Sequence, residues 1–189
     1  MATYFDGKPS FKDVPVKDGQ ISTTEFLLAC ESVVKLFDLF EATAFSVVQS
    51  DMTGNIKKIR DRQLATPAKS ETIQDLVKNE RAEGLKTASE GLLWLTRGLL
   101  FTSTGLRKSV SNPSEELSTS FTNAYGVTLK QHHSFVVRPL FGLAMKACPA
   151  RNSFYAKLGE NCDAQLEEWL TSLELCVNIL SKWIEGVKL

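Results

Sequence analysis

From Leu166 to Ile184 the apolar residues Leu166, Leu170, Leu173, Val177, Leu180 and Ile184 follow one another at steps of four and three. That is the period of one face of an α-helix, and it recurs along almost the whole chain, while no stretch keeps the two-residue alternation of a half-buried strand. The expected fold class is therefore all-α. Trp169, Cys176 and Trp183 widen the last stripe, so the two tryptophans read as packing residues rather than as cofactor or membrane contacts.

Boundaries follow from local chemistry. After an irregular leader, residues 1–20, Ser22 and Glu25 form a capping box ahead of Phe26, Leu27, Cys30, Val33, Val34 and Phe37. A helix carrying "SDMTGNIKKIRDR" follows, then one near 71–83 that Gly84 terminates. Thr87 and Glu90 form a second capping box before "GLLWLTRGLLF", which is apolar nearly all round and so is expected to lie centrally. Asn112 and Pro113 read as an N-cap and first helical residue, opening a helix to about residue 130. Pro139 is expected to kink or split the next helix, and Pro149 to close it. No repeat or long linker divides the chain, and 189 residues suit a single domain spanning 1–189.

Composition then removes several classes of function. Twenty-two basic residues balance twenty-two acidic ones, leaving no positive field to favour nucleic acid. No apolar run approaches the ~20 residues needed to cross a bilayer. The start, "MATYFDGKPSFKD", has no apolar signal core, and Pro113 spoils the one candidate sequon at Asn112, so a cytoplasmic location is expected. Cys30, Cys148, Cys162 and Cys176 lack C-x-x-C spacing and read as reduced thiols. The common catalytic signatures are absent, and no catalytic residue, cofactor or metal is expected. His132 and His133 are neighbours, which on a helix point about 100° apart and cannot share a metal as an i, i+4 pair does. "DMTGNIKKIRDR" fails as a calcium loop, with Ile56 where glycine is needed and Arg62 where glutamate is needed.

What remains is a polar row. On a helix, Asp51, Asn55 and Lys58 fall at i, i+4 and i+7, lining up an acceptor, an amide and a cation that together match the hydroxyls of a sugar. Gly54, which costs about 1 kcal/mol against alanine in a helix, makes sense there if a bulky ligand approaches the backbone. An ordinary solvated helix face has the same spacing, and Trp94 and His133 are each compatible with a core position. Periodicity alone leaves both readings open.

Taken together, "DMTGNIKKIRDR", "EGLLWLTRGLLF" and "YGVTLKQHHSFVV" resemble the glycolipid transfer protein family, nearest its fungal heterokaryon-incompatibility branch, with "ISTTEFL", "ACP" and "FYAKLG" in the same order. The resemblance runs from about residue 20 to residue 185. It implies a two-layer all-α helical sandwich enclosing an apolar lipid pocket, and a carrier of glycosphingolipids between membranes that is not an enzyme. It also implies that Asp51, Asn55 and Lys58 bind the first sugar, Trp94 stacks on it, and His133 bonds the ceramide amide carbonyl while Asp51 takes the amide N–H. His132 aligns with no site residue. Where animal members carry a tryptophan two residues after the histidine this chain has Phe135, and where they carry a tyrosine near a helix end it has Ala150; both positions are associated with membrane docking. The chain after Trp183 is short beside that of animal members, whose terminal tyrosine supplies a further contact.

The implied partners are one glycosphingolipid and, transiently, a membrane surface, with the protein a monomer. A sensor or adaptor that binds the same lipid and signals through a protein partner would use the same residues. A helical enzyme acting on ceramide lipids would need a nucleophile or metal that the sequence does not offer.

Overall fold

The computed structural model describes residues 2–189. Eight helices account for most of the chain: α1 (Thr23–Leu36), α2 (Ser46–Ala65), α3 (Ile73–Ala82), α4 (Thr87–Ser111), α5 (Leu117–Val127), α6 (Val137–Lys146), α7 (Arg151–Leu158) and α8 (Asp163–Val187). The helices α1 and α6 lie beside α2, α5 and α8 lie beside α4, and the long contact between α2 and α4 joins these two layers into a sandwich. The α8 stripe behaves as its spacing predicts: Leu166, Leu170, Leu173, Val177, Leu180 and Ile184 are all buried, with Trp169 and Cys176 beside them and Trp183 half-buried. Three of the four thiols are buried and Cys148 is half-buried, none of them in a disulfide. Among the described residues no helix is long and apolar enough to cross a membrane.

The close approach of α2 and α4 depends on glycine. A Cβ on Gly91 would sit 3.1 Å from Lys58 Cβ and 3.2 Å from the Asn55 carbonyl oxygen, and one on Gly98 would sit 3.5 Å from Met52 Cγ. The two helices therefore run antiparallel, with residues 55–58 level with Gly91 and residue 52 level with Gly98. Seven residues further on, a Cβ on Gly105 would meet the Phe121 ring of α5 at 2.8 Å. The one helix thus uses three glycines at heptad spacing to seat neighbours in both layers.

Between the layers the core is rich in rings. Phe40 lies at its centre, with ring centroids 4.5 Å from Phe45, 5.2 Å from Phe154, 5.3 Å from Phe37 and 5.4 Å from Phe121. Phe101 continues the cluster from Phe121 at 5.6 Å.

Five local expectations are corrected. The leader is not irregular throughout: Phe11–Asp13 form a 3-10 turn that buries Phe11 against Phe26, and β1 (Val16–Lys17) pairs with β2 (Gln20–Ile21). Asp18 and Gly19 both take positive φ, 52° and 75°, as a two-residue hairpin turn requires. Asn112 does not open a helix but closes α4, its side-chain amide donating to the Lys108 carbonyl at 2.9 Å, and α5 starts only at Leu117. Pro139 does not kink α6, because it sits in the first turn, where an amide N–H has no acceptor within the helix.

The fourth concerns the start of α4. Thr87 lies inside the helix and makes no capping bond. The cap comes instead from Glu80 of α3, a buried carboxylate that accepts from the backbone N–H groups of Ala88 and Ser89, both at 2.7 Å, and from the Ser89 hydroxyl at 2.6 Å. It places a negative charge at the positive end of the helix and occupies donors that would otherwise be orphaned. The fifth is the Ser22–Glu25 capping box: Ser22 does precede α1, but its hydroxyl donates to the Glu25 carboxylate and caps no backbone amide.

Candidate functional site

The polar row stands on α2 as its spacing predicts. Asn55 is buried and donates to the Asp51 backbone carbonyl at 2.9 Å and, at the 3.5 Å limit, to Asp51 Oδ2. Lys58 Nζ donates to Asn55 Oδ1 at 3.3 Å, so the three side chains are linked end to end. Asp51 is exposed to solvent, yet crowding by protein on its inner side pushes its carboxyl up, with Lys58 pulling the other way. Apart from the long contact to Asn55, the Asp51 carboxylate has no hydrogen-bond donor among the described residues. Gly54 is exposed, and a Cβ there would meet nothing within 4 Å, so packing does not require it.

Trp94 lies on α4 one turn past Gly91, between the two glycine contacts, and so between the heights of Met52 and Asn55 across the helix pair. Its indole is half-buried and meets the turn between α5 and α6. The His133 ring lies nearly parallel to it, 19° apart with centroids at 5.9 Å, and His132 presents its edge at 6.4 Å. Neither histidine is helical in the α sense: His132 ends a 3-10 turn, and His133 is extended at φ −89°, ψ 139°. Arg138 holds this turn, donating from Nε to the carbonyl oxygens of Lys130 at 3.1 Å and His133 at 3.0 Å. Among the described residues no three His, Cys, Asp or Glu side chains converge as a metal site would need.

A residue that the sequence reading did not assign supports His133. Tyr125 of α5 places its hydroxyl 3.1 Å from His133 Nδ1. Burial pushes the Tyr125 phenol up and so keeps its proton on, while burial, reinforced by His132, Arg138 and Arg97, pushes His133 down and keeps it neutral. With the phenol donating to Nδ1, the second ring nitrogen carries the proton and is a donor. The signal was present in "YGVTLKQHH", but only the fold shows that eight residues bring the two rings together. Phe141 of α6 completes the backing, 4.4 Å from His133 and stacked on Tyr125 at 5.5 Å.

Beside this cluster α6 and the two residues that lead into it expose an apolar stripe. Phe135 is 83% exposed, Val136 62%, Leu140 50% and Leu143 61%, the last three spaced to share one helix face. Ala150, also exposed, lies beyond the end of α6, at the start of α7. A separate depression of roughly 470 Å³ between α1 and α2, lined by Val34, Ile56, Lys57 and Arg60 among others, contains none of the five candidate residues.

With this geometry in place, known proteins give it a family. A curated "Glycolipid transfer protein" of Aureobasidium melanogenum is 56% identical over 186 residues, covering 96% of this chain and 92% of its own length. The crystal structure of HET-C2, a fungal glycolipid transfer protein, superposes with a TM-score of 0.91 at 49% identity and 97% coverage of both chains. The structure of FAPP2, described as selecting simple glycosphingolipids with the same fold, gives 0.88 at 34% identity, covering 98% of this chain and 96% of that one. The profile described as "Glycolipid transfer protein (GLTP)" matches residues 21–160, and with these relatives it places the chain in the glycolipid transfer protein family.

Proposed function

We propose that the protein is a non-enzymatic carrier of glycosphingolipids between membranes, acting in the cytoplasm as a monomer that touches bilayers transiently. The observations that support this reading are the linked Asp51–Asn55–Lys58 row on α2, packed at Asn55 and Lys58 against Gly91 of α4, and, one turn along α4 from Gly91, the Trp94 indole lying against the His133 ring. Asp51 accepts from sugar hydroxyls and from the ceramide amide N–H, Asn55 and Lys58 take further hydroxyls, and the proton on the outer nitrogen of His133 goes to the amide carbonyl. The indole gives the sugar ring an apolar face.

The hydrocarbon chains enter between the layers behind His133, taking the place of apolar side chains that move apart. A ceramide carries on the order of thirty methylenes, each worth ~0.8 kcal/mol against exposure to water, so spontaneous transfer is slow and an apolar interior removes most of the barrier. Membrane and protein suit the chains almost equally, which leaves selection to the head group. Phe135, Val136, Leu140 and Leu143 supply the transient membrane contact, Phe135 serving where animal relatives use tryptophan.

The test is transfer of a fluorescent glycolipid between vesicles. The wild-type protein accelerates it, and Trp94→Ala and His133→Leu each reduce it about tenfold while the helical circular dichroism spectrum stays near wild type. Tight lipid binding without transfer would refute the carrier reading, and unfolding of both variants would make their roles structural.

A further inference from the structure

Arg97 follows Trp94 by three residues on α4, and its guanidinium carbon lies over the indole, 4.7 Å from the ring centroid. It is half-buried, yet among the described residues it has no carboxylate within ion-pair distance and no hydrogen-bond acceptor. Arg107, ten residues along the same helix, shows the usual arrangement, with Glu167 at 2.7 Å and Glu174 at 2.8 Å. A partly desolvated cation is normally paired, because burying a charge alone is unfavourable. The groups around Arg97 offer no relief. The charge is felt at His132 and His133, and Arg138 faces the same histidines from the adjoining turn. Lys58 stands across the helix pair, leaving Asp51 as the carboxylate of the site, and Asp51 is linked through Asn55 to Lys58. A chain with no net charge thus gathers positive charge, without a carboxylate paired to Arg97 among the described residues, around the Trp94–His133 stack.

Resting on the carrier reading, we propose that Arg97 is a specificity-determining residue: it competes with a neutral sugar for the Trp94 face and favours a glycolipid whose first sugar carries an acidic ester such as a sulfate. A neutral ring stacking on the indole must first displace the guanidinium and forfeit its attraction to the ring. An acidic substituent reverses that balance. It draws Arg97 off the indole into a charge-assisted, two-pronged contact and leaves the face open to the sugar.

The experiment measures transfer of a neutral monoglycosylceramide and of its sulfated counterpart between vesicles, for wild type, Arg97→Ala and Arg97→Lys, each checked by circular dichroism. Wild type is expected to favour the sulfated lipid. In Arg97→Ala the ratio of sulfated to neutral transfer falls roughly tenfold or more, equivalent to about 1.4 kcal/mol, with the neutral rate itself rising. Arg97→Lys, which keeps the charge but loses the planar fork, falls between them. Raising the salt concentration shrinks the wild-type preference. An unchanged ratio in Arg97→Ala, with both lipids still carried, overturns this inference and leaves the carrier reading standing. Failure of wild type to move either lipid overturns both. A ceramide with a phosphate in place of the sugar forms the third arm, and its transfer in preference to the sulfated glycolipid overturns the claim that the anion is recognised as a sugar substituent.

Discussion

Two carboxylates close to α4 are treated in opposite ways. Glu80 is buried, holds three donors at 2.6–2.7 Å, and has its accepting capacity taken up by the start of one helix. Asp51 is exposed, has only a long contact to Asn55, and sits where burial works against its charge. The first carboxylate is committed to the fold. The second keeps lone pairs to spare, the 3.5 Å approach of Asn55 being its one side-chain contact among the described residues, as the proposed sugar-binding role requires. A folding role and a binding role can thus be separated by asking where each lone pair goes.

The contrast breaks most readily at Glu80. Glu80→Ala leaves two buried amides and a hydroxyl without partners, a loss of about 3–5 kcal/mol that lowers the melting temperature on the order of 10 °C. Transfer per folded molecule, measured well below the transition, stays near wild type; a specific loss of transfer with unchanged melting would reverse the roles assigned here. Asp51→Val gives the opposite pattern, cutting glycolipid transfer about a hundredfold through loss of charge-assisted bonds worth ~1.5–3 kcal/mol each, with no loss of melting temperature. Lys58→Ala removes one donor from the end of the row and lowers transfer several-fold, consistent with a single exposed hydrogen bond of ~1 kcal/mol.

The smallest effect concerns pH. Because burial raises the folded-state value of Asp51 above the ordinary 3.8, its contribution to stability is fully present below that value and is lost as pH rises through the folded one. At neutral pH, Asp51→Asn therefore melts slightly higher than wild type without ligand while carrying less glycolipid. Wild-type transfer should fall on acidification at a pH above that of an unperturbed aspartate. Calorimetry of the two proteins at pH 4 and pH 7 checks the sign, and a lower melting point for Asp51→Asn at pH 7 would contradict it.

The α8 stripe, α1, α3 and the polar row on α2 were legible in the sequence because each depends on contacts within one helix turn or on simple periodicity. The start of α4 was not. Thr87 and Glu90 satisfy the local capping pattern, but Glu80, arriving from the preceding helix, occupies the same amides first. Asn112 failed for a related reason: its side chain turns back to Lys108, and the Glu116 carboxylate ahead of α5 accepts instead from the Arg151 amide at 2.9 Å. At the candidate site, spacing put Asp51, Asn55 and Lys58 on one helix face but left a plain solvated face equally open, and their proposed role, like that of Trp94 and His133, came from the resemblance. Tyr125 behind His133 and Arg97 over Trp94 did not, since their importance lies in which ring each touches.

The aromatic rings form a line through the molecule, from Trp94 at the rim through His133, Phe141, Tyr125, Phe101 and Phe121 to Phe40 at the centre, with successive centroids 4.4–6.5 Å apart. Apart from the Tyr125–His133 hydrogen bond, these flat plates hold one another by dispersion and quadrupole forces at ~0.5–1.5 kcal/mol per pair, and so can pivot one after another without a large barrier between neighbours. An alkyl tail pushing inward from the mouth would then advance like a zip, each plate it turns aside being replaced at once by methylene contact. The interior could in that way admit hydrocarbon in small steps, with no moment at which a large empty space has to exist.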